Sequence, residues 1–419
     1  MKDEKRGLGT GDWGLGGANP SPQPPVPPLP LAGLIVVSIE QAVAAPLATR
    51  HLADWGARVI KIERPGTGDF ARGYDTRVKG LSSYFVWLNR SKQSLTLDLK
   101  RPEAAQVVAR LIAGADVLVH NLAPGAMDRL GLATATLRAR HPRLIICAVS
   151  GYGSSGPYRD RKAYDLLVQS EAGLLSITGT PEAPAKAGIS VADIAAGMYA
   201  YSAILMALVR RSATGEGAAL EVSMLEALGE WMNQAFYASA YGGSPLPRSG
   251  AHHASIAPYG PFAGGDGGTV YLGIQNEREW QRFCRDVLAA PNLADDPRFV
   301  TNSVRVEHRE VLEAAIGKVF GSLTTAEIVG RLDAAEIAHA RLNTVEEFAA
   351  HPQLAARGRW REIDSPAGPL RALSPPVVMD ALEPAMGAVP AIGQHTEAIL
   401  GELGYDQGTI AGWRKAGVV

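Results

Sequence analysis

Apolar and polar positions along this chain follow two alternating periods. Runs of strand length, LIVVSI from Leu34, RVIKIE from Arg58, DVLVH from Asp116, RLIICAV from Arg143 and ALEVSM from Ala219, are separated by segments with helical spacing of apolar residues. The helical segments are 45–55, stopped by Gly56; 102–113, stopped by Gly114; a shorter one near Leu137; the long stretch DIAAGMYAYSAILMALVRR from Asp193; and 225–238. Strand, helix, strand at this spacing predicts βαβ units and a parallel sheet, and strands this apolar predict helices on both faces. The expected fold class is therefore α/β, with a Rossmann-like large domain. Such sheets bind ligands at the carboxyl ends of their strands. Those ends are expected at Ser38–Gln41, Glu63–Pro65, His120–Gly125 and Ser150–Gly153.

Composition changes mark the domain organisation. Residues 1–30 are Gly- and then Pro-rich without apolar periodicity and are expected to form a disordered extension with no bearing on the fold. Residues 31–224 carry the α/β rhythm. A Gly, Pro and Ser-rich stretch follows, and 225–258 is expected to be a linker and an active-site loop. A smaller α+β domain is expected over 259–340, opening with a hairpin at PFAGGDGGTVYLGI. Residues 341–419 are expected to link back to the large domain.

With 41 Lys+Arg against 42 Asp+Glu, the net charge of −1 offers no global field for nucleic acid or an anionic membrane, so any anion site must be local. The composition, 46% hydrophobic and 20% charged, is that of a globular chain rather than a fibre or a disordered protein. The two cysteines, Cys147 and Cys284, cannot build a disulfide framework, which fits a reducing cytosol and a cytoplasmic location. The longest apolar stretch, 194–209, is short and carries Tyr, Ser and Gly; it reads as a core helix rather than a membrane span. A nicotinamide enzyme would place G-x-G-x-x-G after the first strand, whereas this chain has SIEQAVAAPLAT, so NAD binding is not expected.

Two aspartates stand out. Asp193 opens the long apolar helix, where free N–H groups and the helix dipole would keep its carboxylate ionised at neutral pH and available as a nucleophile. Read locally, it is a plain N-cap, the commonest role of such an Asp. Asp165, after Tyr164, also sits where a helix begins and could be a simple cap.

The ordered motifs PLAGLIVVSIEQAVAAPLATRHLADWGARVIKIERPGTGD, NRSKQSLTLDLKRPE, ADVLVHNLAPGAMDRLGL and LIICAVSGYGSSGPY, followed by ISVAD, resemble the family III CoA transferases, the group of formyl-CoA transferase and carnitine CoA transferase. The similarity runs over about residues 29–419. It implies a homodimer of two chains threaded through each other as interlocked rings. By position it makes Asp193 the catalytic nucleophile and puts Gln41 in the active site, able to bond acyl or carboxylate oxygens. It assigns CoA to Arg64, Leu97, Lys100, Asn121, Leu122, Arg129 and Lys162. The cations among these suit the 3′-phosphate and pyrophosphate of CoA. Read singly, Arg64, Lys100 and Arg129 would pass for solvated surface charges.

The chemistry implied is transfer of CoA from an acyl-CoA to a small carboxylate through an aspartyl anhydride and an aspartyl-CoA thioester. It needs no tightly bound cofactor and no metal, with coenzyme A entering as the acyl-CoA substrate. Both intermediates hydrolyse readily, and the stretch 241–260 is the candidate cover. That stretch holds AHHASIAPYG where formyl-CoA transferases have a run of glycines, so formyl and oxalate are disfavoured. Arg72, Tyr74, Arg248, His252 and His253 are candidates to hold a second carboxylate, which favours a dicarboxylate such as succinate, itaconate, mesaconate or citramalate, with succinyl-CoA as donor; the resemblance also puts an acid near the site at Asp165, so Tyr164 and Asp165 are further substrate-site candidates. The adjacent histidines lack partners at metal-ligand spacing. The rival within the resemblance is the α-methylacyl-CoA racemase branch, where a His–Asp pair stands in place of Tyr164–Asp165; tyrosine, with its pKa near ~10, is a poor base at neutral pH. A CoA-ester binding protein without catalysis is the third reading.

Overall fold

The computed structural model describes residues 28–419; nearly all of the expected disordered extension lies outside the described residues. Six parallel strands form one sheet: β1 (Ile35–Ile39), β2 (Arg58–Glu63), β3 (Lys92–Thr96), β4 (Val117–His120), β5 (Ile145–Ser150) and β6 (Ala219–Ser223). Their order is β3-β2-β1-β4-β5-β6, so the chain reverses direction across the sheet between β1 and β4, which pair in register from Val36↔Val117 to Ile39↔His120. That junction is the topological switch point, where the connections on either side diverge and open a crevice at the carboxyl ends.

Alternation along each strand builds two cores. On one face Val36, Val59, Val117, Val119, Ile145 and Cys147 pack against α1 (Ala44–Asp54) and a long helix described below. On the other face Val37, Ile60, Leu118 and Ile146 pack under α3 (Pro102–Ala113), joined by Ile399, Leu400 and Ile410 from the two C-terminal helices, Thr396–Glu402 and Gln407–Lys415. Both faces of the sheet are thus covered.

The remaining helices up to the linker are α2 (Ser83–Asn89), α4 (Ala126–Arg129), α5 (Thr134–Arg140), α6 (Asp165–Glu171), α7 (Leu174–Ile177), α8 (Val191–Thr214), α9 (Met224–Trp231) and α10 (Asn233–Tyr241). The single helix expected over 225–238 is two, divided at Met232. β3 has no counterpart among the expected strands, because Lys92, Gln93 and Ser94 are polar; the strand is stable because Lys92 and Ser94 find buried partners, described below.

Helix α8 positions the site. Its 24 residues are long and apolar enough to cross a membrane by that measure alone, yet Ala192, Ala195, Ala196, Gly197, Ala200, Ile204 and Ala207 are buried against α1 and the sheet, the packing of a core helix. At roughly 1.5 Å per residue it runs the whole depth of the sheet. Arg211 near its far end bonds Asp116, just before β4, at 2.9 Å, which leaves the first turn of α8 at the carboxyl edge of the strands. Gly197 allows the close approach to α1: a Cβ there would lie 2.6 Å from the Ala44 carbonyl oxygen and 3.0 Å from Leu47.

The hairpin expected from Tyr259 is present as β7 (Tyr259–Ala263) and β8 (Thr269–Gly273), and β9 (His339–Arg341) adds a third antiparallel strand. Its core of Phe262, Trp280, Phe283, Phe299 and Phe320 is separate from both cores of the large sheet. A second hairpin, β10 (Trp360–Ile363) with β11 (Leu370–Leu373), rests through Ile363 and Leu370 on Phe85 of α2.

Candidate active site

A cavity of about 1220 Å³ opens at the switch point between β1 and β4. Gln41 at the end of β1, Arg64 after β2, Leu97 and Lys100 after β3, Asn121 and Leu122 after β4, and Arg129 of α4 all line it. Positions up to 88 residues apart thus converge on one crevice. Arg64, Lys100 and Arg129 are exposed at its rim, and among the described residues none of the three forms an ion pair, so their donors are available to phosphate. Leu97 is buried and forms apolar wall. Asn121 also clamps the two strand ends together, since its Oδ1 accepts from the Gln41 N–H (2.9 Å) and its Nδ2 donates to the Gln41 carbonyl (2.7 Å). Lys162 is exposed on the turn before α6 and does not belong to this lining.

Under the turn at Gln41 lies a buried charge network that sequence reasoning missed. Lys92 Nζ donates to Glu40 (2.7 Å), Pro46 O (2.9 Å) and Asn89 Oδ1 (3.1 Å). Lys61 Nζ donates to Asp69 (2.7 Å) and lies 3.6 Å from Glu40. Asp69 Oδ1 in turn accepts from the Ala42 and Ala71 N–H groups, and Ala42 holds φ 65°. Glu63 accepts from Arg72, Ser94 and the Asp69 N–H. Glu40, Glu63 and Asp69 thus face Lys61, Lys92 and Arg72, three acids against three bases. Burial, with Lys61 nearby, pulls the Lys92 ammonium down to about 7 against the attraction of Glu40. The alternation of Lys61 and Glu63 within RVIKIE was the available signal, since charges inside an otherwise apolar strand require buried partners.

Asp193 does not cap its own helix. Ser190 is the N-cap, and Asp193 stands in the first turn of α8, half-buried, facing the backbone N–H of Ala44 at the start of α1. The capping is done by Asp165, whose Oδ1 accepts from the Ala192 N–H (2.8 Å) while Oδ2 accepts from Gln169 Nε2 (2.7 Å). The expectation of a carboxylate fully ionised at neutral pH is corrected here. Burial, followed by the neighbouring Asp165, raises Asp193 to about 7, and the Ala44 N–H offsets only part of this. Asp193 is not among the residues lining the large cavity; it adjoins the chain that leaves it, three residues past Gln41.

Tyr74 belongs to this cluster. Its phenol is pushed up to about 12 by burial and then by Asp69, Asp193 and Tyr164, so it remains a neutral donor, and its ring meets Tyr84 edge-on at 5.4 Å. Tyr164, the N-cap of α6, is exposed. Arg72 is engaged within the protein: both its Nε and Nη2 donate to Glu63 at 2.8 Å, it reaches the Pro390 carbonyl, and its guanidinium stacks 3.6 Å above Phe85. Arg248 likewise donates to the carbonyls of Thr180 and Pro181. His252 pairs with Glu313 at 3.0 Å, and His253 stacks on Tyr259 while its Nδ1 accepts from the Ser255 N–H. These four hold loop structure, each through a partner that the sequence alone could not pair with it. Among the described residues no group of three or more His, Cys, Asp or Glu could hold a metal.

A crevice at the carboxyl ends of a Rossmann-like sheet, rimmed by cations and adjoined by a half-buried carboxyl, is the class of site that takes a phosphate-bearing ligand. Residues 31–396 match the family model described as CoA-transferase family III, and the chain belongs to that family as an acyl-CoA:carboxylate CoA-transferase. An acyl-CoA transferase of Fusarium pseudograminearum is 36% identical over 93% of this chain and 88% of its own. A succinyl-CoA:glutarate CoA-transferase of Mus musculus is 32% identical over 93% and 90%. The crystal structure of a CAIB/BAIF family protein from Brucella suis superposes with a TM-score of 0.78 at 33% identity, covering 90% of this chain and 100% of that one.

Proposed function

We propose that the protein moves CoA from succinyl-CoA to a small dicarboxylate, with Asp193 as the covalent carrier. The observation that carries this reading is the half-buried Asp193 carboxyl facing the Ala44 N–H beside Asp165, next to a crevice with Arg64, Lys100 and Arg129 at its rim. In the first step an Asp193 oxygen adds to the thioester carbonyl and the C–S bond breaks, giving a mixed anhydride and CoA thiolate. The thiolate then adds to Asp193 Cγ, expels the donor as its carboxylate and leaves an aspartyl-CoA thioester. The acceptor carboxylate attacks that thioester, the thiolate leaves and returns to the acceptor's acyl carbon, and Asp193 is released.

A carboxyl raised to about 7 suits this sequence. Its conjugate base is a stronger nucleophile than an ordinary aspartate. In the anhydride the donor acid, ionising near ~4, is the better leaving group, so thiolate attack at Cγ favours the enzyme thioester over return to substrate. Gln41, on a turn clamped by Asn121 and Asp69, would donate its amide to the acyl oxygen, and the neutral Tyr74 phenol is a second donor for developing negative charge. Arg64, Lys100 and Arg129 would hold the phosphates.

The dicarboxylate specificity rests on the name of the Mus musculus relative, a succinyl-CoA:glutarate transferase, and not on Arg72. We further propose a cytoplasmic homodimer. Two free buried cysteines fit a reducing compartment, and Phe236, Tyr237 and Tyr241 of α10 are more than half exposed, an apolar surface suited to a second copy. Light scattering of the purified chain tests the dimer.

The test of the reaction is incubation with succinyl-CoA and hydroxylamine, followed by peptide mapping. Modification confined to the Asp193 peptide, and absent in Asp193→Ala, is the expected result. No modification, together with deuterium exchange at the α-carbon of a 2-methylacyl-CoA, overturns transfer in favour of racemisation.

A further inference from the structure

A second cavity, about 320 Å³, lies towards the far end of α1, between α1, α2 and the β10–β11 hairpin. Arg50 of α1, Arg90 after α2, and Arg371 and Ser374 of the hairpin region line it. Arg50 and Arg90 are 6% and 4% exposed, and both depend on one carboxylate, the fully buried Asp54. Arg50 Nη1 donates to it at 2.7 Å, and Arg90 donates through Nε and Nη2 at 2.8 Å each. His51 touches Arg50 but adds no charge, because burial and the two guanidiniums pull it down to about 3.

Two buried cations therefore share one buried anion. The carboxyl end of α1 offers roughly half a negative charge, which leaves the pair undercompensated. A buried charge without compensation is costly, so the surplus calls for a counter-ion. Two polar atoms at the same cavity point the same way: Arg50 Nε and Ser374 Oγ are buried without a hydrogen-bond partner. Arg371, exposed at the rim, adds a third guanidinium.

We propose that this cavity binds a small oxyanion, a phosphate or a carboxylate, at a site independent of the CoA crevice. Its volume is at the small end for ligand pockets, which admits inorganic phosphate or a short dicarboxylate but not a second acyl-CoA. Arg50 and Arg90 supply the buried charge, Ser374 a hydroxyl donor and Arg371 the entry.

The test uses the full chain saturated with CoA, so that the large crevice is occupied, and follows thermal unfolding against inorganic phosphate and, separately, succinate, each matched in ionic strength with sodium chloride. Saturable stabilisation by one or both anions is expected, the active one identifying phosphate or carboxylate as the source. Ser374→Ala and Arg371→Gln should each weaken that anion's apparent Kd about tenfold while leaving CoA affinity and transferase turnover unchanged. No saturable shift with either anion, or a shift identical in wild type and both variants, overturns the site. So does finding an acidic side chain of a second copy seated there, in which case the same variants weaken dimerisation instead.

Discussion

Two clusters of acids, one buried and one half-buried, flank the turn that carries Gln41, and they are built on opposite rules. Beneath the turn, Glu40, Glu63 and Asp69 are matched by Lys61, Lys92 and Arg72, with hydrogen bonds linking the acids to the bases. Beyond it, Asp193 and Asp165 face each other with backbone and amide donors but no cation among their bonded partners. The matched cluster holds the turn still. The unmatched pair leaves one carboxyl at about 7 and reactive. Compensation marks the scaffold here, and its lack marks the chemistry.

The strongest way to break this contrast is at the reactive acid. Asp193→Asn should lower CoA transfer by at least about a thousandfold in a steady-state assay, since the covalent step has no substitute. The same variant should be the more stable protein at high pH. In the native fold Asp193 keeps its proton up to about 7, whereas its ordinary value is 3.8, so ionisation costs stability progressively as pH rises from 3.8 to about 7. Denaturation at pH 8 should therefore show Asp193→Asn stabilised by about 2 to 4 kcal/mol, the gain vanishing below pH 4. A variant no more stable at pH 8 than at pH 4 would remove the burial argument.

The matched cluster should respond in the opposite sense. Lys61→Met leaves three acids facing two bases in a fully buried site, and a loss of about 3 to 5 kcal/mol in urea denaturation is expected. Gly197→Ala drives a methyl group against the Ala44 carbonyl; pushing α8 off α1 should cost about 1 to 3 kcal/mol and lower kcat more than it raises KM. The smallest effect expected is from Asp165→Asn, which keeps an acceptor for the Ala192 N–H but removes the like charge. The pH midpoint of hydroxylamine trapping should fall from about 7 by about one unit, with little change above pH 8.

Much of the fold was legible because its signals are local. The apolar runs of β1, β2, β4, β5 and β6 and the Gly56 and Gly114 stops lie within a few residues of what they specify. β3 escaped because Lys92 and Ser94 look exposed until Glu40 and Glu63 are brought beside them. The break at Met232 escaped because nothing in that apolar stretch interrupts helical spacing. Arg72 looked available for substrate because Glu63, nine residues earlier, asks for a buried partner by its place in an apolar strand but does not say which one.

What the sequence by itself determined is five of the six strands of the large sheet and the main helices between them, the absence of a dinucleotide turn and the identity of the acid that begins the α8 region, together with the motifs that placed the chain among the CoA transferases. All of these depend on residue type and spacing. Tertiary structure alone decided the state of Asp193. Its protonation depends on the water excluded around it, on Asp165 from 28 residues earlier and on the N–H of Ala44 at the start of another helix. Burial and Coulomb interaction act through distance in space, and distance in space between such positions is set by the packing of α1 against α8.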